Sequence, residues 1–129
     1  MHLPILRRLA RGLLALGLLG MGTAHFRPWP ARTMAAMIPP AMRRSAVASP
    51  EALVAFTGAC ELAGAVGLLV PPTRRLAGAC LIAFLAAVFP ANAYAARHPD
   101  RFGAVAIPFW PRFAAQVALA ALAAWVSRD

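Results

Sequence analysis

The chain has 129 residues, 61% of them hydrophobic and only 13% charged, with a mean hydropathy of +0.67. Soluble domains run near half apolar and a quarter charged, and one small core cannot keep this much apolar surface from water. A net charge of +9 would by itself suggest a nucleic-acid surface, so the placement of the charges decides between partners.

All 13 basic residues are Arg, and they bracket apolar runs instead of striping a soluble helix. Arg7, Arg8 and Arg11 open the first run, and Arg27 and Arg32 follow it. Arg43 and Arg44 precede the second, Arg74 and Arg75 separate the second from the third, and Arg97 and Arg101 lie beyond the third. Membrane proteins place basic residues this way, as flanks whose heads reach lipid headgroups. The expected partner is a lipid bilayer, not nucleic acid.

Four apolar stretches follow in order, at about 9–26, 51–70, 76–96 and 104–126. Each approaches the roughly 20 residues that a helix needs to cross a bilayer. Ala, Leu and Gly dominate and no period of two appears, so helices are expected. The reading is all-α, a single membrane domain over 1–129, with four transmembrane helices in antiparallel up-down order. Residues 1–24 also fit a cleaved signal peptide, with a basic start, a Leu-rich middle and small residues at Thr23-Ala24. The apolar run continues through His25-Phe26 and three more spans follow, which favours a retained helix.

Between the first two spans, Met34, Met37 and Ile38 fall at i, i+3 and i+4, one apolar face of a short interfacial helix. Ser49-Pro50-Glu51 reads as N-cap, first turn and dipole-matching acid for the second span. Pro71-Pro72-Thr73-Arg74 is a tight turn joining spans two and three. Pro90 should kink or loosen the end of span three, and Pro111 suits a first turn in span four. In that case the regular helix runs from about Pro111, and 104–110 dips toward the bilayer edge. The arginines divide almost evenly between the two faces. Arg7, Arg8 and Arg11 flank the first helix and Arg74-Arg75 occupy the shortest loop, which places both termini in the cytoplasm.

Ionisable groups inside spans are costly and usually face protein or a cavity. Glu61 is the sharpest case, because its helical neighbours Thr57, Gly58, Gly64 and Ala65 are small or polar and admit a second helix closely. Two roles stand open for it: handling a proton or ligand, or making a structural hydrogen bond. His25, Asn92, Arg112 and Gln116 all fall near the outer membrane face, and Gln116 is nearest to Glu61 in depth. Cys60 and Cys80 differ in depth across the hairpin, which suits small buried packing better than a disulfide. No metal-ligand spacing, phosphate loop, nucleophile elbow or redox dithiol is written in the chain, and no cofactor is evident from the residues alone.

Read as an ordered series, several segments resemble the DoxX family of small bacterial integral membrane proteins. They are Gly22-Thr-Ala-His25-Phe26, Met37-Ile-Pro39-Pro40, Gly58-Ala-Cys-Glu61-Leu-Ala-Gly64, Gly67-Leu-Leu-Val-Pro71 with Thr73-Arg74-Arg75, Ala87-Val-Phe-Pro90-Ala-Asn92, and Trp110-Pro-Arg112 with Gln116. The series covers 22–116. After Pro39-Pro40 the chain departs, carrying Ala41-Met42-Arg43-Arg44 where family sequences tend to have Trp-Leu-Pro. The resemblance implies a four-helix transmembrane bundle in the bacterial cytoplasmic membrane. It makes Glu61, His25, Asn92, Arg112 and Gln116 the positions most apt to form a ligand or proton site. It further implies a non-catalytic subunit or accessory of a redox or stress-related complex, partnered by other subunits or by its own copies. The alternative is a quinone- or lipid-binding oxidoreductase component built on the polar cluster around Glu61. A small proton-coupled transporter is the more distant third, since four helices give little room for alternating access.

Overall fold

The computed structural model describes residues 2–45 and 47–128, and every regular element among them is helical. In chain order these are α1 (His2–Ala24), α2 (Pro28–Met37), α3 (Pro40–Ser45), α4 (Pro50–Leu69), α5 (Arg74–Ala96), α6 (Pro99–Phe102) and α7 (Phe109–Val126). Short 3₁₀ turns at Pro71–Thr73 and Gly103–Val105 lead into α5 and follow α6. Helix α4, helix α5 with its preceding turn, and helix α7 are each long and apolar enough to cross a membrane. Helix α1, which carries three arginines, reaches that standard only together with α2, and the two are bent by 91°.

The boundaries differ from the expected ones where backbone chemistry outweighs hydropathy. Helix α1 begins at His2, so Arg7, Arg8 and Arg11 lie within it and not before it. Arg is a good helix former, and its long stem can cover apolar neighbours from inside the helix. Helix α7 starts at Phe109, two residues before Pro111, and the stretch before it holds only the 3₁₀ turn. Pro90 is accommodated within α5, which runs on to Ala96. The single short helix expected between spans one and two is divided into α2 and α3, with Pro39-Pro40 at the break. Its apolar face is covered by protein: Ile38 packs with Val54 of α4, and Met37 with Ala95 of α5. A helix turned at right angles to α1 lies across the ends of α4 and α5, and their side chains take up that face.

Helix α1 packs on α4, α4 on α5 and α5 on α7, and a lighter α7–α1 contact links last to first. The largest core cluster draws on three of these helices, with Leu68, Ala77, Leu81, Ala123 and Val126 buried. Ala10, Leu14 and Leu18 of α1 cover it. Large side chains elsewhere, including Leu9, Leu13, Leu16 and Phe56, point outward. Cys60 is half-buried and Cys80 exposed, both as free thiols. Cys80 was expected inside; α5 turns Ala77, Gly78 and Leu81 inward instead, which leaves Cys80 on the outer side.

Helix ends are satisfied by side chains. Ser49 caps α4, its Oγ accepting from the Ala52 backbone N–H at 3.1 Å. Replacing it, Ser49→Ala, should lower stability by about 1 kcal/mol, read as a lower melting midpoint by circular dichroism in detergent. At C-termini the donors are arginines. Arg43 donates to the carbonyls of Ile38, Ala35 and Ala36 at 2.9, 2.9 and 2.8 Å, closing α2. Arg74 donates to Leu68 O at 3.1 Å, and Thr73 to Gly67 O at 2.9 Å, closing α4. Arg11 reaches across from α1 to close α7, donating to Val126 O at 2.7 Å and Arg128 O at 2.9 Å. Each guanidinium meets orphan carbonyls and the negative end of a helix dipole.

Candidate functional site

The end of α1 is drawn onto α4 by two glycines. A Cβ on Gly58 would stand 2.5 Å from His25 Cβ and 3.0 Å from Gly22 O, and one on Gly22 would stand 2.9 Å from Leu62. Bare backbone at these positions lets the helices approach closely and sets His25 against α4. Glu61 lies one turn beyond Gly58, on the same face of α4.

His25 Nδ1 is 2.8 Å from Met21 O, a contact that assigns its proton to Nδ1 as donor to the backbone. The same nitrogen is 3.6 Å from Glu61 Oε2, beyond hydrogen-bond range. Both side chains are only 10% exposed. Glu61 Oε2 is buried and has no hydrogen-bond partner among the described residues. An unanswered polar atom of this kind costs roughly 1–3 kcal/mol.

A second polar station joins α5 to α7. Arg112 Nη2 donates to Asn92 Oδ1 at 2.6 Å. Gln116 Nε2 donates to the carbonyl of Leu85, within α5 itself. That carbonyl is next to Ala86, whose usual donor four residues on is replaced by Pro90. Phe89 packs edge-on against Phe109 and Phe113 at 5.6 and 5.7 Å, fixing the start of α7 on α5.

Both stations open on one groove of about 1620 Å³. His25, Glu61, Asn92, Arg112 and Gln116 all line it, and the remaining walls are chiefly apolar, with Phe56, Val66, Leu76 and Leu119 among them. Along α4 its lining extends from Leu53 to Gly67, with Val70 just beyond the helix, and Trp29 and Pro30 of α2 line it too. The five residues singled out from the sequence therefore share a cavity but not a single cluster. Glu61 lies beside His25, whereas Gln116, its expected partner by depth, turns to the α5 backbone. The physical reason is the Gly22–Gly58 approach, which places α1 and not α7 against the acid. The groove itself, and the Leu85 carbonyl as an acceptor, had no signal in the sequence beyond the position of Pro90. Among the described residues, no three His, Cys, Asp or Glu side chains gather to hold a metal ion.

The model of a family described as Domain of unknown function (DUF8561) matches residues 14–127 of the chain. No curated protein and no solved structure matches it.

Proposed function

The chain belongs to the DUF8561 family, and we propose that it is a four-helix membrane protein that binds a long apolar molecule with a polar head. The observation that carries this reading is the convergence of the five polar span residues on one large, mostly apolar groove. Ligand sites combine apolar walls with a few polar groups that fix orientation, and about 300–1,000 Å³ suffices for a compact ligand. A groove of 1620 Å³ suits something longer. A quinone with its isoprenoid chain and a membrane lipid both belong to this class.

The bundle we propose is antiparallel, with α1 to α2, α4, α5 and α7 as its four crossings and α2–α3 at the membrane interface. Three contacts support the alternation. Gly67 of α4 faces Ala77 of α5, Gly78 of α5 faces Ser127 beyond α7, and Arg11 of α1 reaches the end of α7. We place both termini in the cytoplasm, the membrane being the bacterial inner membrane that the DoxX resemblance implies. Arg7, Arg8, Arg11 and Arg74 gather around one small cavity at that end, the side that basic residues favour.

Native mass spectrometry of protein extracted into lipid nanodiscs tests the ligand reading. The expected result is a retained apolar adduct, lost in Ala87→Phe, which places a ring in the groove from an exposed position of α5. Protein free of any adduct, or an adduct indifferent to Ala87→Phe, would overturn it.

A second reading, which the DoxX resemblance implies, is an accessory subunit of a redox or stress-related complex. Cys60 and Cys80 are free and make no dithiol centre, so electrons would have to pass through a partner or a bound quinone. Copurification in mild detergent is expected to bring down that partner, and a lone protein would count against this reading.

A further inference from the structure

The groove offers more than apolar space, because midway along its α4 wall it presents an acceptor with nothing to accept from. Glu61 is 8% exposed, lines the groove, and its Oε2 lacks any hydrogen-bond partner among the described residues. The nearest donor is already spent: His25 Nδ1 gives its proton to Met21 O at 2.8 Å and stands 3.6 Å from Oε2. On the opposite wall, Arg112 and Gln116 direct donors to Asn92 and Leu85. Thr57, one turn away on α4, donates to Val54 O at 2.8 Å. His25 and Thr57, beside Glu61 on α1 and α4, thus give their protons to backbone carbonyls, which leaves the carboxyl to a donor brought by the occupant.

Building on the groove reading above, we propose that the occupant is a long-chain alcohol, an isoprenoid or acyl lipid whose head hydroxyl donates to the Glu61 carboxyl group. The hydroxyl suits this position in a way other heads do not. It donates to a carboxylate oxygen, whereas an ether or a ketone only accepts. An ammonium head would also donate, but it would share the groove with the like-charged Arg112 guanidinium. The reach open to the tail follows from the lining, which continues from Glu61 along α4 to Val70 just beyond it. At 1.5 Å per residue that is ~14 Å, about half of a bilayer's hydrocarbon thickness. The alcohol enters with its tail along α4 and α5 and its head beside His25 and Glu61.

The test compares geranylgeraniol with geranylgeranyl methyl ether, two probes alike in chain and unlike only in the donor. Binding is titrated to the full-length protein in phosphatidylcholine nanodiscs, followed by tryptophan fluorescence, since Trp29 lines the groove. The alcohol is expected to bind at least tenfold more tightly than the ether. In Glu61→Leu the preference should vanish while the ether binds as before. Equal binding of alcohol and ether by the unaltered protein overturns the inference and leaves the groove reading standing; so does a preference that survives Glu61→Leu. Failure of both probes to bind overturns the groove reading as well. The comparison in the unaltered protein decides the matter even if Glu61→Leu does not fold.

Discussion

Replacing Arg11 by Met should destabilise the protein by about 3 kcal/mol, since each hydrogen bond to a charged donor is worth roughly 1.5–3 kcal/mol. The side chain is 6% exposed and, among the described residues, makes such bonds to the carbonyls of Val126 and Arg128. Met preserves the unbranched stem and its packing, so the change isolates the guanidinium. What is lost is the closure of α7: carbonyls at a buried helix end are left without donors, and Val126 is fully buried. Arg8→Met, at an exposed position of the same helix, is the comparison and should change stability by no more than about 0.5 kcal/mol. Unfolding by denaturing detergent, followed by circular dichroism, reads both. Equal small effects would mean that Arg11 is an ordinary headgroup anchor.

The second large effect is expected from one methyl group. Gly58→Ala sets a Cβ 2.5 Å from His25 Cβ and 2.9 Å from a Phe26 ring carbon, where something must move. Overpacking of this kind costs about 1–3 kcal/mol, and here the part that yields is the end of α1. His25 should be carried away from Glu61, so retention of any bound apolar molecule should fall together with the melting midpoint. Gly17→Ala provides the contrast, because a Cβ there meets nothing within 4 Å. Ala is the better helix former by about 1 kcal/mol, and this second variant should be neutral or slightly stabilised. If Gly58→Ala were as well tolerated as Gly17→Ala, the close approach of α1 and α4 would be wrong.

These two residues also mark how far the sequence could be read. Spans two and three were legible almost to the residue, since hydropathy, the Ser49 cap and the Pro71-Pro72 turn all agree there. The first was legible as apolar but not as a helix beginning at His2, because arginines near an apolar run read as flanks. Of the arginines, Arg11, Arg43 and Arg74 serve instead as donors to helix ends, a use that depends on which helix end comes near. Local pattern carries no such information. The polar residues of the site were visible because ionisable and amide groups inside apolar runs are rare enough to notice. Their pairing was not, because it is set by how deeply α1 settles on α4, through Gly22 and Gly58. Gly58 hinted at a close neighbour, but nothing local said whether that neighbour was α1 or α7.

The order of helix packing bears on how the protein is made. Helix α4 packs on α1, α5 on α4 and α7 on α5, so each long helix released from the ribosome meets a neighbour already synthesised. The seam between α7 and α1 joins the first and last of these helices, across 115 residues at the Arg11–Val126 contact. Until that seam forms, the nascent protein is an open row of helices, with the α1 side of its groove-bearing face held by α4 alone. Closing the ring has to wait for α7, and the contact that Arg11 makes waits with it.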